Sequence, residues 1–327
     1  MRDVQTMYAE SGERLHSPEG AATRPVCAKD LVELFGGHHH YIRDFPPEAL
    51  AAPPSNWSIL VQRDAVQRVA GAAVLEIEDR PPTLPSCVPD RITGRGVAVR
   101  GETGIRAAAT HLLQQVLSNL DRQMPGRHFH FASRYRWLVD GALATGFRRL
   151  DTMAYLEHRL HRMTNLEPRH TLRPARPEDL PQLAEIDARA FPNFWHMGVQ
   201  RLDRLSQPKS ARLLVADADG QAAGFILTET VLQDGRAQGF VVRVCVDPAL
   251  HRNGVGTSLM AGAVNAMHRA GMTRVSLNAL LSNEDTLAFY RRLGFVAQLR
   301  HSQVLGTVTG QPRTPAPRRR YGVLSHR

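Results

Sequence analysis

A chain of 327 residues makes two domains the first expectation, and 43% hydrophobic with 22% charged residues is the balance of an ordinary globular protein. Lys and Arg number 41 against 31 Asp and Glu, a formal charge of +10 that attracts anions such as nucleic acid, acidic lipid or a phosphorylated small molecule. Three dispersed cysteines, Cys27, Cys87 and Cys245, exclude a disulfide framework and a zinc knuckle; with no apolar run of about 20 residues and a polar N-terminus, a cytoplasmic chain is expected.

Residues 1–25 carry no periodicity and read as a flexible N-terminal arm. A helix is expected over 28–35, then a Pro- and Ala-rich loop through 45–56. SILVQRD and VAGAAVLEIED read as strands, and RPPTLPSCVPD as an irregular connection. GVAVR leads into a helix over 105–120, followed by HFHFAS, a helix over 137–143 and the turn-strand GFRRLDTMAYLEHRL. The pattern restarts near 164–170 with TLRPARPED. Asp179 followed by Gln182 fits a capping box, and Leu180, Leu183, Ile186 and Ala190 form the apolar stripe of the next helix.

ARLLVAD and AAGFILTETV read as paired strands, and FVVRVCV as a central one covered on both faces, with Arg243 its sole charge. Val255, Leu259, Met260, Ala263, Val264 and Met267 give a broad apolar helix face ending at Gly271. TRVSLNAL, DTLAFYRRL and GFVAQLRHSQVL follow as strand, helix and strand, and 307–320 as a Pro- and Arg-rich loop. Both halves thus run through the same element order, and ATGFRRLDTMAYL resembles RRLGFVAQLRHSQV, which points to a degenerate tandem duplication.

CVDPALHRNGVGTSL carries the chemistry. A buried strand ends, the chain turns at Pro248, and Gly254 and Gly256 open a helix. With no side chain at either glycine, a phosphate can approach the backbone. The N–H groups of Asn253 to Thr257 are the unpaired donors of the first turn, and the positive dipole end adds to them. No Gly-Lys-Ser/Thr follows, so this is not a Walker loop, and the third glycine of a dinucleotide fingerprint is missing. Two glycines alone could equally serve only to make a tight turn.

Read in full, V-x-P followed by a basic-x-x-G-x-G loop resembles the acetyl-CoA-binding signature of the GNAT superfamily of N-acetyltransferases. NEDTLAFYRRLGF resembles its second signature, an Asn and then an aromatic-Tyr pair before Leu-Gly-Phe. The resemblance covers 171–327. His251 departs from it, standing where the family has Arg or Gln, with Arg252 next to it.

The resemblance implies an α/β fold with a mixed, mostly antiparallel sheet whose two central strands splay apart. It implies two tandem GNAT-like domains: a degenerate one over 26–165 and a catalytic one over 170–327. Acetyl-CoA is then the acyl donor and no metal is needed. Its arm would pair with the backbone of Val244, Cys245 and Val246, with a strand N–H polarising the thioester carbonyl. Its diphosphate would lie on His251, Arg252, Asn253, Gly254, Val255, Gly256 and Thr257, with Asn283 facing it. An amine attacks the thioester directly, and Tyr290 stands where the family has the acid that protonates the thiolate. GFVVR lacks the carboxylate that many members carry, so Glu229 is the first candidate base, and His196 the second. Arg243 either holds an acidic acceptor or pairs with a neighbouring acid.

In the first half, Gly101 and Gly104 lie near a helix start, but Arg106 replaces the second motif glycine and no V-x-P precedes. This half is expected to buttress the other; a second, weak CoA site is the alternative. His38, His39 and His40 are consecutive and cannot converge as metal ligands on one helix face, and His128 and His130 lack a third partner in sequence. Arg318–Arg320 have no interleaved aromatics, so a solvated tail is expected rather than a nucleic-acid contact. The expected function is acetyl transfer to a primary amine of a small molecule by a monomer, without nucleic-acid or membrane partners. Acetylation of a protein or peptide amine, or a non-catalytic CoA-binding sensor or scaffold, are the alternatives.

Overall fold

The structure is a computed structural model describing residues 5–8, 27–36, 40–43, 45, 47–80, 90–101, 104–160, 167–191, 195–218, 221–233 and 235–314. Its contacts divide the chain into two units. One comprises Met1–Asp79, Asp90–Asp151 and Ser302–Arg327, the other Arg80–Pro89 and Thr152–His301.

The first half of the chain runs β1 (Gln5–Tyr8), α1 (Ala28–Gly36), β2 (His40–Arg43), β3 (Trp57–Arg63), β4 (Val69–Glu78), β5 (Arg91–Val99), α2 (Ile105–Gln123), β6 (His128–Ser133), α3 (Arg136–Ala144) and β7 (Arg148–Arg159). The second half runs β8 (Thr171–Pro174), α4 (Leu180–Ala190), α5 (Val199–Ser206), β9 (Ala211–Ala218), β10 (Gln221–Gln233), β11 (Arg236–Val246), α6 (Val255–Arg269), β12 (Arg274–Leu280), α7 (Glu284–Arg292) and β13 (Val296–Val308). The strand at Gln5–Tyr8, inside the segment expected to be a flexible arm, pairs antiparallel with β3.

The duplication is visible strand by strand. β1, β3, β4 and β5 pair antiparallel in that order, and β8, β9, β10 and β11 do the same. β5 then pairs parallel with β6, as β11 does with β12. Even the irregularities correspond. Arg95 is an extra residue in β5 opposite the Val74/Leu75 step, and Val242 is one in β11 opposite Leu227/Thr228.

The final strand of each half, however, joins the other unit. β7 pairs with β12 from Met153 to Arg159, and β13 pairs with β6 from Gln303 to Val308. The division at 165–170 expected from the sequence follows chain order, whereas the pairing crosses it. Two similar strands carry no local mark of which unit they join.

In the second unit, α4 and α5 bury Leu183, Ile186 and Leu202 against Phe225, Leu227 and Cys245 on one sheet face. On the other face, α6 and α7 bury Leu259, Met260, Val264 and Tyr290 with Ile226, Val241 and Leu277. The apolar spacing read from the sequence therefore predicts the buried stripe of α6, and Gly271 takes the left-handed φ of +78° that ends it.

Three local expectations change. The Asp179–Gln182 capping box does not form. Instead, the Asp179 carboxylate accepts from the Arg173 guanidinium at 2.7 and 2.9 Å and from the Arg176 N–H at 2.6 Å, because a bidentate cation outcompetes a neutral cap. Residues 307–314 are not loose: Thr309 is buried, Gly310 N–H donates to Asp121 at 2.7 Å, and Arg313 forks onto the same carboxylate. The helix α5 was not expected, although Val199, Leu202 and Leu205 mark one face of it at helical spacing. Arg318–Arg320, and His38 and His39, lie outside the described residues.

Candidate active site

β11 is paired with β10 along its whole length but with β12 only from Gly239 to Val241. Beyond that point β11 runs on to Val246 and β12 to Leu280 without pairing with each other, so the two central strands part. The bulge at Val242 sits where they separate. Asp247 N–H donates to Ala223 O, so by antiparallel alternation Cys245 points its backbone groups at β10, and Val244 and Val246 point theirs at the gap. Among the described residues the side chain seen on these groups is His251, whose Nε2 lies 3.2 Å from Val246 O. Val244 thus presents an N–H donor to a cleft with no strand across it among the described residues.

The cleft leads to the start of α6. Asp247 caps the short turn Pro248–Leu250 by accepting from Ala249 N–H at 3.0 Å, and Arg252 and Gly254 both adopt left-handed φ, +67° and +81°. These reversals turn successive N–H groups outward. Gly254 is the N-cap of α6 and no side chain caps the helix, so its first-turn donors stay open to an anion. A Cβ on Gly254 would meet nothing within 4 Å, so the space above the cradle is clear. The loop is braced from below: His170 Nε2 lies 2.9 Å from Asn253 O, and the N–H groups of Arg169 and His170 both donate to Ser258 Oγ. This turn of open donors, flanked by His251 and Arg252, is where the sequence reading expects the diphosphate.

Two of the expected residues belong to α7 and its N-cap. Asn283 is the N-cap of α7, its Oδ1 accepting from Thr286 N–H at 3.0 Å. Its first role is therefore structural. Phe289 reaches to 3.5 Å from where a Gly256 Cβ would stand, and Tyr290 follows it, its ring tilted against Phe289 and Phe295 at centroid distances of 5.2 and 5.7 Å. Tyr290 is 7% exposed, and burial pushes its phenol up to about 12, with the Arg243 charge pulling the other way. It stays protonated at any working pH, as a proton donor must. The raised value is also a stability statement: the folded state holds the neutral phenol, so the stabilisation is complete below pH 10 and is lost as pH rises through about 12. Urea unfolding at pH 9 and pH 12 is expected to show a larger alkaline loss for the native chain than for Tyr290→Phe.

Arg243 does not wait for an acidic acceptor. Its guanidinium forks onto Asp187 at 2.7 and 2.9 Å, donates to Trp195 O and lies 3.6 Å over the Phe191 ring. Asp187 is fully buried and also accepts from Met197 N–H. The ion pair thereby fastens segment 195–197 over β11. Sequence reasoning missed Asp187, although an acid beside Ile186 in an apolar helix stripe was a signal. His196, inside the fastened segment, is 3% exposed. Glu229 is half-buried, opposite Phe240, and strand alternation from Leu227 places it on the α4–α5 face that Arg243 also occupies. The two candidate bases therefore belong to the side of the sheet away from Tyr290. Cys245 is buried and its thiol is pushed well above its ordinary value by burial and then by the Asp187 charge. It is unsuited to an acyl-enzyme. Among the described residues no group of three His, Cys, Asp or Glu is placed to hold a metal ion, and no helix is long and apolar enough to cross a membrane.

A splayed central pair, a bulge at the fork and an uncapped glycine turn at its mouth define an acyl-CoA-type cleft. Residues 180–295 match the acetyltransferase (GNAT) family, and the chain carries a GNAT acetyltransferase domain there. It is 32% identical over 127 residues to a mycothiol acetyltransferase of Propionibacterium freudenreichii, covering 37% of this chain and 41% of that protein. It is 25% identical over 129 residues to a putative ribosomal protein bS18 alanine N-acetyltransferase of Bacillus subtilis, covering 39% of this chain and 82% of that one. The chain thus spans less than half the length of the first of these relatives. A tandem GNAT protein from the clavulanic acid biosynthesis pathway has a similar fold, with a TM-score of 0.57 at 16% identity, covering 88% of this chain and 96% of that one.

Proposed function

We propose that the chain is an acetyl-CoA-dependent N-acetyltransferase acting in its second unit on a primary amine of a small molecule. The observation that carries this reading is the unpaired edge of β11 ending at the uncapped, glycine-opened start of α6. The thioester supplies the activated acetyl group. Val244 N–H is placed to polarise its carbonyl, a donation worth about 2.7–4 kcal/mol in comparable sites. Tyr290 delivers a proton to the departing sulfur. Glu229 takes the proton of the attacking amine, with His196 the second candidate. Arg252 adds positive charge beside the cradle, so the departure from Arg or Gln at 251 retains an anion site. Asn253, Val255 and Thr257 contribute backbone donors.

The small-molecule acceptor rests on the activity for which the mycothiol relative is named; the ribosomal-protein relative supports a peptide amine as the second reading. A single chain with two GNAT-like halves is taken to act as a monomer.

Titration of the whole chain with acetyl-CoA tests the reading. Saturable binding is expected, and Gly254→Glu should weaken it at least about tenfold. A side chain at φ +81° costs roughly 1–2 kcal/mol, and the new carboxylate faces the diphosphate. Undiminished binding in that variant would place the donor elsewhere.

A further inference from the structure

The first unit repeats the fork of the second, but there the edge is filled. β5 pairs parallel with β6 only from Arg91 to Thr93, then continues to Val99 beyond the extra residue Arg95. On the edge that β6 has left, β2 is paired antiparallel: His40 with Val99, Tyr41 with Ala98, Ile42 with Val97 and Arg43 with Gly96. The bulges align Gly96, Val97, Ala98 and Val99 with Arg243, Val244, Cys245 and Val246. β2 therefore occupies the edge that stands open in the second unit. Arg100 N–H donates to Ala70 O, so Ala98 faces β4, and the N–H groups of Val97 and Val99 face β2.

Two further differences agree with a closed cleft. Five residues, 100–104, join β5 to α2, whereas eight, 247–254, join β11 to α6, so the first unit lacks the length for the turn at the cradle. Above Gly96, a Cβ would stand 2.8 Å from Phe45 and 3.0 Å from Phe35. By their buried stripes, Leu31, Leu34 and Phe35 of α1 match Leu183, Ile186 and Asp187 of α4. Where the second unit has the Asp187–Arg243 pair holding segment 195–197, the first has rings packed on a glycine. In chain order β2 corresponds to that held segment: each follows the first helix of its half.

We infer that β2 is the permanent occupant of the first unit's cleft, a strand of the chain itself in the place of an acyl-CoA arm, so that the protein has one acyl-CoA site per chain. This rests on the function proposed above for the second unit. Two measurements separate them. Titration with acetyl-CoA is expected to give one site per chain, and none at the same concentrations in Gly254→Glu; two sites, or one undiminished site in that variant, would overturn the inference. Native-state hydrogen exchange of the full chain, without ligand, tests the strap on its own. The Val97 and Val99 amides are expected to be protected to the level of α2 core amides such as Leu113, and exchange at the rate of an unpaired edge would refute it. If no acetyl-CoA binds at all, the second-unit reading fails, and the exchange result still decides what β2 does.

Discussion

Tyr290→Phe is expected to bind acetyl-CoA as the native chain does and to transfer the acetyl group about 10²–10⁴-fold more slowly, the range of a lost general acid. The separation follows from where the residue sits. In the proposed reading, donor binding rests on the backbone of Val244, Val246 and the Arg252–Thr257 turn, and no hydrogen bond from the Tyr290 hydroxyl to these groups is seen among the described residues. The ring itself packs between Phe289 and Phe295, and phenylalanine keeps those contacts. Because burial holds the native phenol up at about 12, the acid is present throughout the neutral range, and the loss should be the same at pH 7 as at pH 9. Thiol release under saturating acetyl-CoA, measured beside a binding titration, checks both halves. Equal turnover in the two chains would remove Tyr290 from the chemistry and favour a sensor or scaffold that binds the donor without using it.

How far the site could be read from sequence depends on how local its physics is. The turn from Val246 to Thr257 was legible because its function is a property of consecutive backbone groups: a strand end, two residues with left-handed φ, and a helix start. Tyr290 was singled out by the resemblance of its segment to the second family signature, and Asn283, expected beside it, caps α7. The Asp187–Arg243 pair was only half legible. Arg243 was conspicuous in an apolar strand, but its partner lies 56 residues earlier on another element, and nothing near either residue names the other. Glu229 and His196 were chosen from chain position, and the structure places them on the α4–α5 side of the sheet without singling out one as the base.

The fold divides in the same way. Periodicity located the long helices and the central strands because burial repeats every 3.6 or 2 residues within each element. It could not assign β7 and β13 to their partner strands. Pairing of Leu156 with Leu277, or of Leu305 with Phe131, is fixed by contacts far along the chain. Nor could it foresee β2, four residues that are a strand only because the edge of β5 is there to pair with. The Asp179 cap failed for a related reason: Arg173, held on β8, competes for the carboxylate with two directed hydrogen bonds.

The buried pair offers the sharper test of what the second unit gains over the first. Asp187→Asn leaves the Arg243 guanidinium, only 11% exposed, without its counter-charge. Such a loss costs about 3–5 kcal/mol, which urea unfolding should register as a large drop in midpoint. An apolar pair of similar volume avoids that penalty, so Asp187→Leu combined with Arg243→Met is expected to recover most of the lost stability. It does not restore the bonds to Trp195 O and Met197 N–H, which apolar side chains cannot make. The double variant should therefore fold well and keep its affinity for acetyl-CoA, yet show a raised KM for the amine, because segment 195–197 is no longer fastened over β11. The first unit already carries an apolar version of this contact, Phe35 on Gly96, and there the corresponding segment has closed the cleft. A stable double variant with native KM and kcat would reduce the ion pair to a packing element. A stable variant with impaired transfer would mean that the chain keeps a costly buried charge pair in order to hold the acceptor side of its site in place.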